Sequence, residues 1–231
     1  ISLDTPLLKF ESVFSTDCVI FGLDEGDLKV LLIERNEEPF IGWWALPGNF
    51  VGQEESIANA AKRILYELTG LQDIFMDQFY VFGDVDRHPQ GRVITVAYYA
   101  MIRLNGSKEL KPVTNFARKA YWCPINKVPK LAFDHTQIFE KGYEKIQQKI
   151  SFQPIAFELL PEKFTLTQLQ QLYEAILNKK LDKRNFRKKM LNYGILKELD
   201  EKQIGVSYRA AKLYKFDRRK YTKLFKTDLA W

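Results

Sequence analysis

Leu46-Pro47-Gly48-Asn49-Phe50-Val51-Gly52-Gln53-Glu54-Glu55-Ser56, running on through Ile57 to Gly70 and Leu71, is the stretch whose reading decides the fold. From 55 to 69 the residues Ile57, Ala60, Ala61, Ile64, Leu65 and Leu68 recur at helical spacing and share one side, and Gly70 stands where a left-handed C-cap belongs. Arg63 and Glu67 lie one turn apart, a pair worth about 0.2–0.5 kcal/mol on an exposed face. A Pro-Gly-Asn loop carrying Glu54 and Glu55 thus feeds an amphipathic helix.

Strands surround this unit. Cys18 to Leu23 and Leu28 to Arg35 read as a hairpin across the turn-rich Asp24-Glu25-Gly26-Asp27, and further strands are expected at Gln78 to Phe82, Val93 to Ile102 and Ala120 to Cys123. A helix follows from about His135 to Ile150, with Asp134 as its cap, Gln137 at N3, and a buried stripe of Phe139, Tyr143, Ile146 and Ile150. His135 is assigned to the start of this helix without a chemical role. Ser151 to Phe164, with two prolines, reads as a connector.

Nearly half of the 231 residues are apolar, enough for a sizeable core. No run approaches the ~18–20 uncharged apolar residues that would span a bilayer, and Ile1-Ser2-Leu3-Asp4 lacks a signal-peptide pattern, so a cytoplasmic protein without membrane partners is expected. Cys18 and Cys123 are too few for a disulfide framework or a zinc site and read as packed thiols. The net charge of +6 conceals a division: residues 161–231 hold 18 Lys/Arg against 8 Asp/Glu, a net of +10, while residues 1–160 carry a net of −4. A basic third of this kind is the footprint of a polyanion binder, and by itself fits DNA, RNA or an anionic membrane equally well.

The organisation of the basic third narrows the choice. Thr165 and Gln168 form a capping box before the stripe Leu166, Leu169, Leu172, Tyr173, Ile176 and Leu177, and Asn178 to Leu181 makes a short turn. Asp182 then caps a second helix, Lys183-Arg184-Asn185-Phe186-Arg187-Lys188-Lys189-Met190-Leu191, which points Phe186 and Met190 one way and Arg184 and Lys188 the other. Two strand-like runs, Ile195 to Leu199 and Ala210 to Phe216, flank a polar loop with Gly205 and complete a winged helix-turn-helix. Arg184, Asn185, Arg187 and Lys188 are the candidates for base edges, and Lys183, Lys189, Arg209 and Lys212 for phosphates. Double-stranded DNA is the expected partner.

The spacing of the opening stretch matches the Nudix signature, G-x5-E-x7-R-E-U-x-E-E-x-G-U with U aliphatic. Its first Gly falls on Asn49, its first Glu on Glu55, its Arg on Arg63 and its closing pair on Gly70 and Leu71. The three catalytic carboxylates of the signature fall on Ile64, Glu67 and Leu68, so Glu67 alone is kept. Magnesium needs several hard oxygen ligands, which hydrocarbon cannot supply. No catalytic residue, resident metal or cofactor is therefore expected, with a weakly bound cation at Glu54, Glu55 or Glu67 left open. The resemblance implies an α/β/α sandwich over residues 1–152, a linker over 153–164, and the winged helix over 165–231, an α+β protein overall.

Such a Nudix box joined to Leu181-Asp182-Lys183-Arg184-Asn185-Phe186-Arg187-Lys188-Lys189 resembles the Nudix-related transcriptional regulators of bacteria, from about Ser15 to Phe216. The resemblance implies an effector-binding Nudix domain, a winged helix on operator DNA, and a homodimer on near-palindromic sites. Asp84-Val85-Asp86-Arg87-His88-Pro89 and Arg92 to Tyr99 are similar to the sugar-utilisation branch typified by the arabinose regulator, which implies a pentose such as arabinose or xylose. Asn49, by removing a glycine's φ > 0 freedom near a pyrophosphate, disfavours the alternative effector, ADP-ribose. Arg35, Trp43, Glu67, Asp86, Arg87 and His88 are the candidate effector residues. The rival reading is a Nudix hydrolase acting on a nucleoside diphosphate derivative such as ADP-ribose.

Overall fold

The computed structural model describes residues 13–24, 26–70, 72, 74–104, 114–152, 157, 159–203 and 210–225. Two compact units divide at Lys145/Ile146, with Leu23–Leu28 and Ile102–Gly106 counted in the second.

β1 (Val13–Asp24) and β2 (Asp27–Arg35) form the expected hairpin at the centre of a seven-stranded sheet. Its order is β3-β2-β1-β6-β5, with β3 at Trp44–Ala45, β5 at Met76–Phe82 and β6 at Val93–Arg103. β4 (Gly48–Phe50) pairs with β1 and β7 (Ala117–Pro124) with β2. Thr16 to Phe21 are buried without a break, which requires cover on both faces of β1. The α/β/α sandwich supplies it, with helices α1 (Ile57–Thr69) and α2 (His135–Phe152). α2 lies so close that a Cβ on Gly142 would stand 2.9 Å from Val19 Cγ2.

α1 keeps its expected stripe and ends on Gly70 at φ 70°. It starts at 57 because the Ser56 hydroxyl caps it by accepting from the Asn59 N–H, while Glu55 turns back to accept from the Gly52 N–H. α2 departs from expectation at its start. Asp134 does not spend its carboxylate as a cap, because Arg87 takes both of its oxygens.

In the second unit α3 (Leu166–Leu177) opens on the expected capping box of Thr165 and Gln168, and α4 (Lys183–Asn192) on Asp182. Tyr173 of α3 meets Phe186 of α4 edge-on at 5.2 Å. The wing is β8 (Leu196–Lys202) with β9 (Lys212–Phe216), extended by a bridge from Phe164 to Tyr214. Gly205 and Arg209 lie outside the described residues. A short helix not expected from sequence, α5 (Arg218–Phe225), follows the wing.

Candidate functional site

The opening loop is held onto the sheet from two sides. β4 pairs antiparallel with β1 in the register Ser15–Phe50, Thr16–Asn49 and Asp17–Gly48. Gly48 approaches β1 so closely that a Cβ there would overlap the Asp17 carboxylate and stand 3.0 Å from the Thr16 carbonyl oxygen. From the other side the Leu46 N–H donates to Nδ1 of His135 at 3.0 Å. That bond places the proton of neutral His135 on Nε2, which lies 3.4 Å from Asp17 Oδ1. Burial pulls the His135 pKa below its ordinary value, against the opposing pull of Asp17 and Asp134. His135 therefore has a role that its position in the sequence did not suggest.

Beside this contact sits a buried charge cluster. The Arg87 guanidinium, 4% exposed, donates to both Asp134 oxygens at 2.8 and 2.7 Å and to Thr95 Oγ1 at 2.8 Å. Its Nη2 also lies 3.7 Å from Asp17, and Thr95 in turn shares a hydrogen bond with Ser15. Two carboxylates and one guanidinium are thus taken out of water together, which is tolerable because Arg87 and Asp134 are paired and hydrogen-bonded and Asp17 lies within ion-pair distance of Arg87. Arg87, expected to hold the effector, spends its donors on the protein.

Above the cluster opens a cleft of about 90 Å³. Of the residues expected from sequence, Arg35, Arg87 and His88 line it; Trp43, Glu67 and Asp86 do not. Trp43 is one ring removed, packed on Phe40, which packs on Phe133, and Asp86 is exposed. The wall of the cleft is a column: the Arg35 guanidinium stands 4.8 Å over the Phe133 ring, and Phe133 stacks on His88 at 4.9 Å and 13°. Phe133 and Phe40 hold φ of 53° and 68°, a region bulky residues rarely occupy, and such strain persists where the surroundings enforce it.

Arg35 donates to the carbonyl oxygens of Pro39 and Glu37. Burial draws its pKa down, opposed by Glu37, Asp17 and Glu38. Burial, then Arg87 and Arg35, lower that of His88, which favours the neutral ring. Asp17, Glu37, Glu38, Asn49, Phe133 and His135 also line the cleft and were missed in the sequence. Two hints were available: an aspartate inside the apolar run Thr16 to Phe21, and the Asp134-His135 pair opening a helix. Asn49 stands in β4 rather than in a φ > 0 turn, so the backbone objection to a pyrophosphate at this position falls away.

Around the Nudix spacing itself, Ile64 and Leu68 are buried hydrocarbon, 0% and 1% exposed. Arg63 grips Glu55 through Nε and Nη2 at 3.1 and 2.7 Å and reaches Glu67 at 3.4 Å. That grip, with the Gly52 N–H, holds the Glu55 carboxyl below its usual range. Among the described residues no group of three or more His, Cys, Asp or Glu could hold a metal ion.

On α4 the side chains Lys183, Arg184, Asn185, Lys188 and Lys189 are exposed, while Phe186 and Met190 are buried. Arg187 is different: it is half-buried and donates to Thr167 Oγ1 at 3.1 Å, tying α4 to α3. Lys212 is paired with Glu198 across the wing, an acceptor that Tyr214 shares. Arg209 lies outside the described residues. A cationic helix is thus presented on an apolar anchor, the arrangement that lets a helix enter a DNA major groove.

The pattern of the NUDIX domain matches residues 14–142, and that of the NrtR DNA-binding winged helix domain residues 156–216. The chain is 33% identical over 213 residues to the ADPR responsive transcriptional repressor NtrR of Acinetobacter baylyi, covering 90% of this chain and 84% of that protein. The crystal structure of Shewanella oneidensis NrtR complexed with a 27mer DNA superposes with a TM-score of 0.76 at 29% identity, covering 90% of this chain and 95% of that one. The NUDIX domain of the same protein, cocrystallised with ADP ribose, superposes with a TM-score of 0.54 at 30% identity, covering 58% of this chain and 88% of that one. These relatives are ADP-ribose proteins and not regulators of free sugars, so the expected sugar branch finds no support among them.

Proposed function

This chain belongs to the NrtR family, which joins a Nudix domain to a winged helix, and from that premise we propose that it is a transcriptional regulator whose Nudix domain senses an ADP-ribose-like nucleoside diphosphate. The observation that carries the effector reading is the column of Arg35, Phe133 and His88 beside the carboxylates of Glu37 and Glu38. Arg35 answers phosphate charge, the two carboxylates accept ribose hydroxyls, and the ring column stacks on a flat group. Pockets that enclose a drug-sized ligand run to about 300–1,000 Å³, so a cleft of about 90 Å³ takes one part of the effector and leaves the rest outside it. A free pentose has no charge for Arg35 to meet. ADP-ribose has, and the relatives' descriptions point the same way.

The Nudix domain binds without cleaving. Hydrocarbon at Ile64 and Leu68, together with the hold of Arg63 on Glu55 and Glu67, supports that reading. Residues 1–152 form the sensor, 153–164 the linker and 165–231 the DNA-binding domain, and two copies sit on a two-fold operator. On α4, Arg184, Asn185 and Lys188 face the bases, with Lys183 and Lys189 on phosphates.

The test is a thermal-stabilisation series on the full chain with ADP-ribose, arabinose and xylose. A ligand at 100 times its Kd stabilises by about 2.7 kcal/mol, so ADP-ribose is expected to raise the melting temperature and the pentoses to leave it in place. Stabilisation by a pentose alone sinks the effector assignment, and release of AMP and ribose phosphate in the presence of magnesium sinks the non-catalytic one.

A further inference from the structure

At the base of the wing the second unit holds a cavity of about 800 Å³ that the recognition helix does not line. Its floor is aromatic: Phe216 stacks on Phe157 at 4.3 Å and 10°, and Phe157 meets Phe164 at 5.6 Å. Its rim carries Lys197, Lys215, Arg218 and Arg219. Two carboxylates also line it, and both are engaged, Glu162 with Lys215 and Asp217 as acceptor from the Lys220 N–H opening α5.

The register makes this convergence costly. Lys197 and Lys215 stand directly opposite each other on β8 and β9, and like charges in that position repel. α5 adds Arg218, Arg219, Lys220 and Lys223, all exposed, and contains no carboxylate. Tyr221 docks α5 on the same Phe216 at 5.8 Å, and the helix lies beyond the matched winged-helix pattern, which ends at 216. Cations set over an apolar wall focus a positive potential into the cavity.

We infer that this cavity and α5 form a second DNA contact, one that grips backbone phosphates beside the bases faced by α4. The position suits it: the Asp217 N–H donates to the Ile195 carbonyl at 2.8 Å, and Ile195 follows the last residue of α4 by three positions. Three residues span at most about 11 Å, so the start of α5 lies close to the C-terminal end of the recognition helix. The inference rests on the DNA-binding reading, and extends the interface to Lys197 and Arg219, outside the helix-turn-helix pair.

The experiment compares full-length wild type with Lys197→Gln/Arg219→Gln on an operator duplex over a salt series. Each lost phosphate contact lowers the slope of log Kobs against log salt by about 0.9, so the double variant is expected to lose about 1.8 while its preference for operator over random duplex is unchanged. Lys197→Arg/Arg219→Lys keeps the wild-type slope. The Gln variant melts no lower than wild type, because it relieves the Lys197/Lys215 repulsion. A slope within about 0.3 of wild type in a Gln variant that still binds operator overturns this contact alone. A wild type that binds no duplex overturns the DNA-binding reading, and this contact with it.

Discussion

Arg87→Ala removes the cation that two buried carboxylates share. The guanidinium is 4% exposed, and its partners Asp17 and Asp134 are 6% and 15% exposed, so the variant strands two negative charges where water reaches poorly. Breaking a buried pair from one side costs about 3–5 kcal/mol, and the partial exposure of Asp134 places this case near about 3–4. At about 2–4 °C per kcal/mol for a chain of this size, the melting temperature falls by roughly 6–16 °C. The assay is urea unfolding of the full chain followed by tryptophan fluorescence, since Trp43, Trp44 and Trp122 all lie in the first unit. Arg87→Met combined with Asp134→Leu recovers at least about 1 kcal/mol relative to the sum of the single variants, because the double change removes charge from both sides. A loss below about 1 kcal/mol in Arg87→Ala, accompanied by loss of ADP-ribose binding, would refute the scaffold role and return Arg87 to the ligand.

Other perturbations separate the remaining parts. Gly48→Ala forces a Cβ into the Asp17 carboxylate and pushes β4 off β1, so overpacking of about 1–3 kcal/mol in urea unfolding and weaker ADP-ribose binding by calorimetry are expected together. His88 and His135 both have folded pKa values below 6.5, so the unfolded chain takes up more protons near that pH. Their contribution is complete above about pH 6.5 and is lost as pH falls through the lower folded values, at up to about 1.4 kcal/mol per pH unit for buried His135 and at less for the more exposed, solvent-screened His88. Unfolding free energies measured from pH 7 to 5 should decline, and His135→Gln should flatten the decline. Arg184→Ala leaves the fold intact and costs about 1–3 kcal/mol of operator affinity by anisotropy titration. Arg187→Ala, by freeing α4 from Thr167, lowers stability as well, and a purely DNA-side effect of that variant would contradict its placement. Glu67→Gln, outside the cleft and paired to Arg63, leaves ADP-ribose affinity within about twofold on calorimetric titration.

What the sequence disclosed was local. Gly70 at a helix end, Thr165 with Gln168, and Asp182 before a basic helix each act within a few positions, and each stands in the structure where its chemistry demands. The cleft is built from distant positions instead. Arg87 meets Asp134 across 47 residues and Leu46 meets His135 across 89, separations at which neither periodicity nor capping carries information. Nearby Asp134 looked like a cap for the same reason: its true partner lies far back in the chain. β4 went unread because three residues show no alternation, and α5 because a short cationic helix owes its place to Tyr221 packing on Phe216. Asn49 misled for a physical reason, since its position in β4 needs no left-handed backbone.

The central claim is that ADP-ribose on the Nudix domain changes the hold of the winged helix on DNA. Fluorescence anisotropy of a labelled operator duplex, titrated with the full chain at fixed salt with and without saturating ADP-ribose, tests it most directly. Coupling between sites of this kind is typically about 1–3 kcal/mol, so DNA affinity should change by about 5- to 150-fold, and by reciprocity the operator should shift ADP-ribose affinity by the same factor. Arabinose and xylose should change nothing. Equal DNA affinity with and without bound ADP-ribose would contradict the account.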